Sequence, residues 1–192
     1  MVQRTAFALL AALVAPVAVF GDEAPPSPAA GVDYRVVLRD ATSGERIEIR
    51  RRGNVFRHEI LDGGNSAVIF YETDTGISTV VDDDAVYILP SGISELAGSD
   101  ASAMMHGLSD SPVEWTDGDP VSVAGEQCRE HIASGTREGG PLSGRFCVTP
   151  DGVVLAISIG GPGQVGREYA ASEFARGAQP VLIFDIPRPP GD

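Results

Sequence analysis

Apolar and polar residues alternate with a period of two along much of this chain, and turn sequences interrupt the alternation every few positions. Tyr34, Val36 and Leu38 alternate with Arg35 and Arg39; after Ala41-Thr42-Ser43-Gly44, Ile47 and Ile49 alternate with Arg46, Glu48 and Arg50. Successive side chains of a strand point to opposite faces, so the pattern describes a hairpin with one buried face and one wet face. Val55 to Leu61, the apolar run Ala67 to Tyr71, Ile77 to Val81 and Ala85 to Leu89 follow. Asp62-Gly63-Gly64-Asn65, Thr73-Asp74-Thr75-Gly76 and Asp82-Asp83-Asp84 separate them. Six strands in meander order are predicted up to Leu89.

Beyond Pro90 the period changes. Ile93, Leu96, Ala97, Met104 and Met105 fall at loosely helical spacing between Ser91 and His106, with Ser91 or Ser94 as caps, which predicts one or two short helices. Strands are predicted again at Gln127 to Ala133, Gly144 to Thr149 and Gly152 to Ile159, and two shorter ones between Arg167 and Ile186. The expected class is mainly β (α+β), an antiparallel sheet with a short helical insertion.

The N-terminus has the layout of an export signal. Arg4 precedes an uncharged apolar run from Ala6 to Phe20, too short to span a bilayer, that ends at Gly21-Asp22-Glu23. Cleavage after Gly21 is expected, with Ala24 as the alternative site, and no cysteine stands nearby to carry a lipid. Residues 1–21 are then the signal and 22–31 a proline-broken linker. A single domain covers 32–187, with 188–192 as a tail. The 161 residues from Val32 onward suffice for one real core. This layout predicts a periplasmic protein with no transmembrane segment after cleavage.

Cys128 and Cys147 are the two cysteines, and an oxidising compartment favours pairing them. The Gly- and Ser-rich stretch from Ser134 to Gly144 between them reads as a hairpin loop that brings the flanking strands together. Their spacing fits no zinc site. The chain carries 14 basic and 27 acidic residues, a net charge of −13, which disfavours nucleic-acid binding and docking on anionic lipid. Every basic residue is arginine, so Schiff-base and Ser-Lys chemistry are excluded.

Three stretches carry a resemblance. The sheet-helix-sheet order, Val123-Ala124-Gly125-Glu126-Gln127-Cys128 leading to Phe146-Cys147-Val148-Thr149-Pro150-Asp151-Gly152-Val153-Val154-Leu155, and the closing Phe184-Asp185-Ile186-Pro187 resemble the periplasmic LolA/LolB-like half-barrel superfamily, in particular its uncharacterised exported members. The resemblance spans Val32 to Pro187. It implies a curved antiparallel sheet wrapped around helices, with a hollow for acyl chains or other apolar ligands. The chain departs from the family in its aromatic content of 6%, and no position matches a cavity arginine.

Other local patterns are weaker. Gly161-Pro162-Gly163-Gln164-Val165-Gly166 is a literal G-x-G-x-x-G with Asp185 downstream. Only Arg167 to Arg176 could supply the helix it requires, and a glycine-rich hairpin loop is the preferred reading. His58 shares a strand face with Phe56 and Ile60, as a packed histidine would. Met104-Met105-His106 offers soft donors, but adjacent methionines on a half-buried helix ordinarily fill space. Cys128 and His131 point to opposite strand faces and cannot share a metal. Asp82-Asp83-Asp84 and Asp117-Gly118-Asp119 read as solvated turns, without the calcium-loop pattern. Trp115 is expected to lie buried under a loop. No G-x-S-x-G nucleophile turn is present.

The expected function is therefore a non-enzymatic carrier or binding protein without a cofactor, metal or catalytic residue. Its partner would be an apolar ligand, a lipid or a lipidated protein. Tyr34, Val36, Leu38, Ile47, Ile49, Ile93, Leu96, Met104 and Met105 are its expected ligand-facing residues. The alternatives are an exported hydrolase with scattered catalytic residues and a structural envelope protein.

Overall fold

A computed structural model describes residues 32–61, 67–82, 85–89, 113–137, 140–160 and 167–186. They form eleven strands in one antiparallel sheet. The first group is β1 (Tyr34–Asp40), β2 (Arg46–Arg52), β3 (Val55–Ile60), β4 (Val68–Glu72), β5 (Ile77–Asp82) and β6 (Ala85–Leu89). The second is β7 (Val113–Val123), β8 (Glu126–Arg137), β9 (Gly140–Val148), β10 (Val154–Gly160) and β11 (Arg167–Arg176). The sheet order is β6-β5-β4-β3-β2-β1-β11-β10-β9-β8-β7, two meanders joined where β1 pairs with β11, with β6 and β7 as edges.

All six strands of the first meander lie in the segments expected from sequence. The second differs from expectation at β7 and at β11. Residues 113–123 form β7, a strand beyond those expected, in the segment where Asp117-Gly118-Asp119 reads as a turn; an edge strand tolerates proline, and the register shifts between Asp117 and Pro120. Trp115 is accordingly a buried residue of a strand. Arg167–Arg176 is one long strand rather than the start of two short ones, followed by a 3-10 turn at Val181–Phe184. A strand in that position also removes the helix that the dinucleotide reading of the glycine motif required, and the motif itself lies outside the described residues. So do the signal and linker, the expected helical insertion with Ile93, Leu96, Met104 and Met105, and His106.

Register assembles one apolar face from alternate residues. Val36 stands between Ile49 on β2 and Phe174 on β11, and Leu38 between Ile47 and Ala171. On the far side of β11, Tyr169 faces Ile157, which faces Phe146, and Trp115 pairs with Ala133. Ala133 and Gly144 are the small residues of this region. A Cβ on Gly144 would come within 2.9 Å of the Phe146 ring, so glycine makes the room in which Phe146 packs on Trp115, ring centroids 5.7 Å apart. A bulge on β11 opposite Val37 and Leu38 leaves Ser172 outside the register, its hydroxyl donating to the Val37 carbonyl.

The turns explain how short strands stay in register. Ala124 and Gly125 both have positive φ, 50° and 83°, the backbone that lets a two-residue turn match strand twist. At the β9–β10 turn, Val153 donates to the Thr149 hydroxyl, which in turn donates to Asp151. Although three strands separate β7 from β11 in the sheet, the two come into contact. Arg176 at the end of β11 reaches both Asp151 and, at 2.9 Å, Glu126 at the start of β8.

Candidate functional site

The five expected ligand-facing residues among those described gather in one place. Tyr34, Val36, Leu38, Ile47 and Ile49 occupy adjoining rows of the apolar face, each no more than 2% exposed. The face continues through Phe56, Ile157 and Phe146 to Trp115, so it crosses the junction of the two meanders without a polar break. At one end it is bounded by cations stacked on rings. Arg51 lies 5.1 Å from the Phe56 ring centre and Arg176 4.7 Å from that of Phe174. Both arginines stand directly opposite Tyr34, on either side of it.

His58 is buried on this face between Ile49 and Ile69, its ring 6.3 Å from Phe56. Apolar neighbours flank it in the register, the setting of a core histidine.

His131 has a different setting. It faces Asp117 across the β7–β8 pair, with Nδ1 2.9 Å from the carboxylate, close enough for an ion pair when the ring is protonated but poorly angled for a hydrogen bond. Burial pushes the imidazole below its ordinary value, and the attraction of Asp117 does not restore it. Asp117, read from sequence as a solvated turn acid, is therefore a strand residue beside a buried histidine. Alternation around Trp115 was the available signal, and Pro120 obscured it. A histidine and an aspartate make the orienting half of a catalytic triad. The nucleophilic half is missing among the described residues: no hydroxyl or thiol hydrogen-bonds to His131, and both cysteines are bonded to each other.

Cys128 and Cys147 form a disulfide across the β8–β9 pair, their Cα atoms 5.4 Å apart. Glu130 stands directly opposite Cys147, so the bond is diagonal and lies on the face away from Phe146 and His131. Cys128 and His131 indeed point apart. The strands run on through the stretch expected as a loop, to Arg137 and from Gly140.

The opposite face of β1–β3 is an ion lattice. Arg35, Arg50 and Arg57 are directly opposed in one row; the next row holds Glu173, Glu48 and Glu59. Arg35 joins Glu48 and Glu173, each at 2.6 Å; Arg50 also joins Glu48, and Arg57 joins Glu59 at 2.7 Å. Burial alone would raise the Glu48 carboxyl, but hydrogen bonds from Arg50 and Arg35 outweigh it and hold the group below its usual range. The lattice consumes its own charges and serves the fold.

A second ionic cluster fastens the turns of the other meander. Hydrogen bonds from Arg176, opposed by partial burial and helped by Thr149, hold the Asp151 carboxyl at about 2. Among the described residues no group of three or more His, Cys, Asp or Glu side chains is placed to hold a metal ion. No protein-family profile matches the chain, and no curated protein is similar to it at a significant level.

Proposed function

We propose that this chain is a non-enzymatic binding or carrier protein of the bacterial envelope, with its sheet bent as a half-barrel around an apolar ligand, a lipid or the lipidated part of a partner protein. The observation that carries the reading is the unbroken apolar face from Phe56 on β3 to Trp115 on β7. Bending toward one side is supported by the contact of β7 with β11 and by the reach of Arg176 to Glu126. Ile93, Leu96, Met104 and Met105 would supply the opposing wall, where flexible methionines adapt to a variable occupant.

Tyr34, Val36, Leu38, Ile47 and Ile49 are already shielded from water. Entry of a ligand therefore displaces side chains packed on the face, and the free energy comes from burying the ligand, about 0.8 kcal/mol per methylene. The hydrolase alternative has Asp117 and His131 but, among the described residues, no adjoining nucleophile to support it.

Native mass spectrometry and titration with an environment-sensitive dye, both on delipidated protein, test the proposal. Saturable binding of a fatty acid or dye, weakened by Met104→Asp, is expected. Folded wild type that binds neither at about 100 μM, equivalent to a very weak interaction, would remove the carrier reading.

A further inference from the structure

We propose that the outer edge of β6 docks an extended, basic segment of a partner protein as one further strand of the sheet. Two side-chain rows cross the first meander and stop at this edge. Val36, Ile49, His58, Ile69, Val80 and Tyr87 are successive cross-strand partners on the apolar face. Val36, Ile49 and His58 are buried, yet Tyr87 is 55% exposed. The row on the opposite face runs through Phe70 and Thr79, both buried, to Ile88, which is 53% exposed. A strand laid along β6 would cover both side chains at once, because neighbouring residues of a strand point to opposite faces.

The two edges of the sheet are built differently. β7 carries Glu114, Asp117, Asp119 and Pro120, and its register shifts between Asp117 and Pro120. Charged side chains, proline and irregular register are the means by which edge strands avoid further pairing. β6 reads Ala85-Val86-Tyr87-Ile88-Leu89, with no charge, no proline and no shift in its pairing to β5. Its outer amides and carbonyls have no ladder partner among the described residues. Addition of a strand supplies those main-chain bonds, and contacts to alternate side chains set the sequence it prefers.

Charge selects the occupant. Oδ1 of Asp82, which faces Ala85 at the start of β6, is buried with no hydrogen-bond partner among the described residues. Two further aspartates, Asp83 and Asp84, stand between it and the strand in sequence. A second copy of this chain would bring the same acids and another net charge of −13, which favours the monomer. A segment with arginine or lysine after its apolar residues is complementary: laid antiparallel to β6, its C-terminal end lies beside Asp82. β6 is five residues long, so the ladder is short and the binding weak.

The test titrates the full protein with the acetylated peptide Thr-Val-Thr-Ile-Thr-Arg-Arg, with a copy ending in Glu-Glu and with a copy whose backbone amides are all N-methylated, reading amide shifts and hydrogen exchange. The arginine peptide should saturate with Kd of about 100 μM and slow exchange along β6. The Glu-Glu copy should bind about tenfold more weakly, and the N-methylated copy, which cannot donate to a ladder, not at all. Replacing Tyr87 and Ile88 together with Ser should weaken binding about tenfold, while Leu182→Ser, exposed elsewhere, should leave it unchanged. Equal binding of the N-methylated copy would overturn the added strand, and equal binding of the Glu-Glu copy its basic character. No saturable binding would overturn the proposal; slow exchange at every β6 amide would then mean that the chain covers its own edge. A dimer of the wild type, lost when Tyr87 and Ile88 are replaced, would overturn it in favour of a second copy.

Discussion

The two meanders share one apolar face but are secured differently. In β1–β6 the strands are five to seven residues long, and the opposite face of β1–β3 is held by the Arg–Glu lattice. In β7–β11 they run from seven to twelve residues, and a disulfide and the buried rings of Trp115 and Phe146 do the fastening. Short strands give each pair few ladder bonds, so side-chain pairing across them matters more. Long strands with an apolar core and a covalent tie can tolerate a bulge and a proline at the edge. Pairing of β1 with β11 makes the two one sheet.

The largest expected effect falls in the second meander. Phe146 is fully buried, so Phe146→Ala should cost about 3–5 kcal/mol in denaturant unfolding. Loss of protection in both meanders together would confirm one cooperative unit; loss confined to β7–β11 would divide the sheet into two.

Replacing Cys128 and Cys147 together with Ser should lower stability by about 2–4 kcal/mol. Non-reduced peptide mapping of the wild type should recover the two cysteines in one linked fragment. Two free thiols in protein purified under oxidising conditions would contradict the tie.

The lattice of the first meander predicts a smaller change. Glu48→Gln leaves Arg35 and Arg50 without their shared buried partner and should cost about 1–3 kcal/mol. Hydrogen exchange should place the loss in β1–β3. An effect below experimental error would mean that packing around Val37 holds these strands unaided.

Acid should loosen the turn cluster of the second meander last. The folded Asp151 carboxyl titrates at about 2, below its ordinary value of 3.8. Its contribution is present above 3.8 and is lost as pH falls toward 2; removing it should account for about 1–2 kcal/mol after screening is allowed for. Arg176→Gln should flatten that part of the stability-against-pH curve. His131 acts in a higher window with the same sign: its folded value is below 6.5, so stability falls as pH drops beneath that value.

The same contrast explains what could be read from sequence. In β1 and β2 alternation is regular, β4 and β6 are short apolar runs, and each turn carries its own Gly, Asp or Asn signature, so every strand was legible, as was the shared face of Tyr34, Val36, Leu38, Ile47 and Ile49. Strand β7 was hidden because Pro120 and Gly118 imitate a loop, although Val113 and Trp115 already alternate with Glu114 and Thr116. The length of β11 was obscured by a bulge, which shifts the period at Ser172. The pairing of Asp117 with His131 depends on register, which composition does not encode.

The most direct measurement is a search for intermolecular nuclear Overhauser effects between a carbon-13-labelled fatty acid and the methyl and aromatic groups of the protein. Contacts to Tyr34, Ile47 and Ile49 are expected in the saturated complex. Contacts only to exposed residues such as Leu182, or none at saturation, would contradict a ligand enclosed by the apolar face.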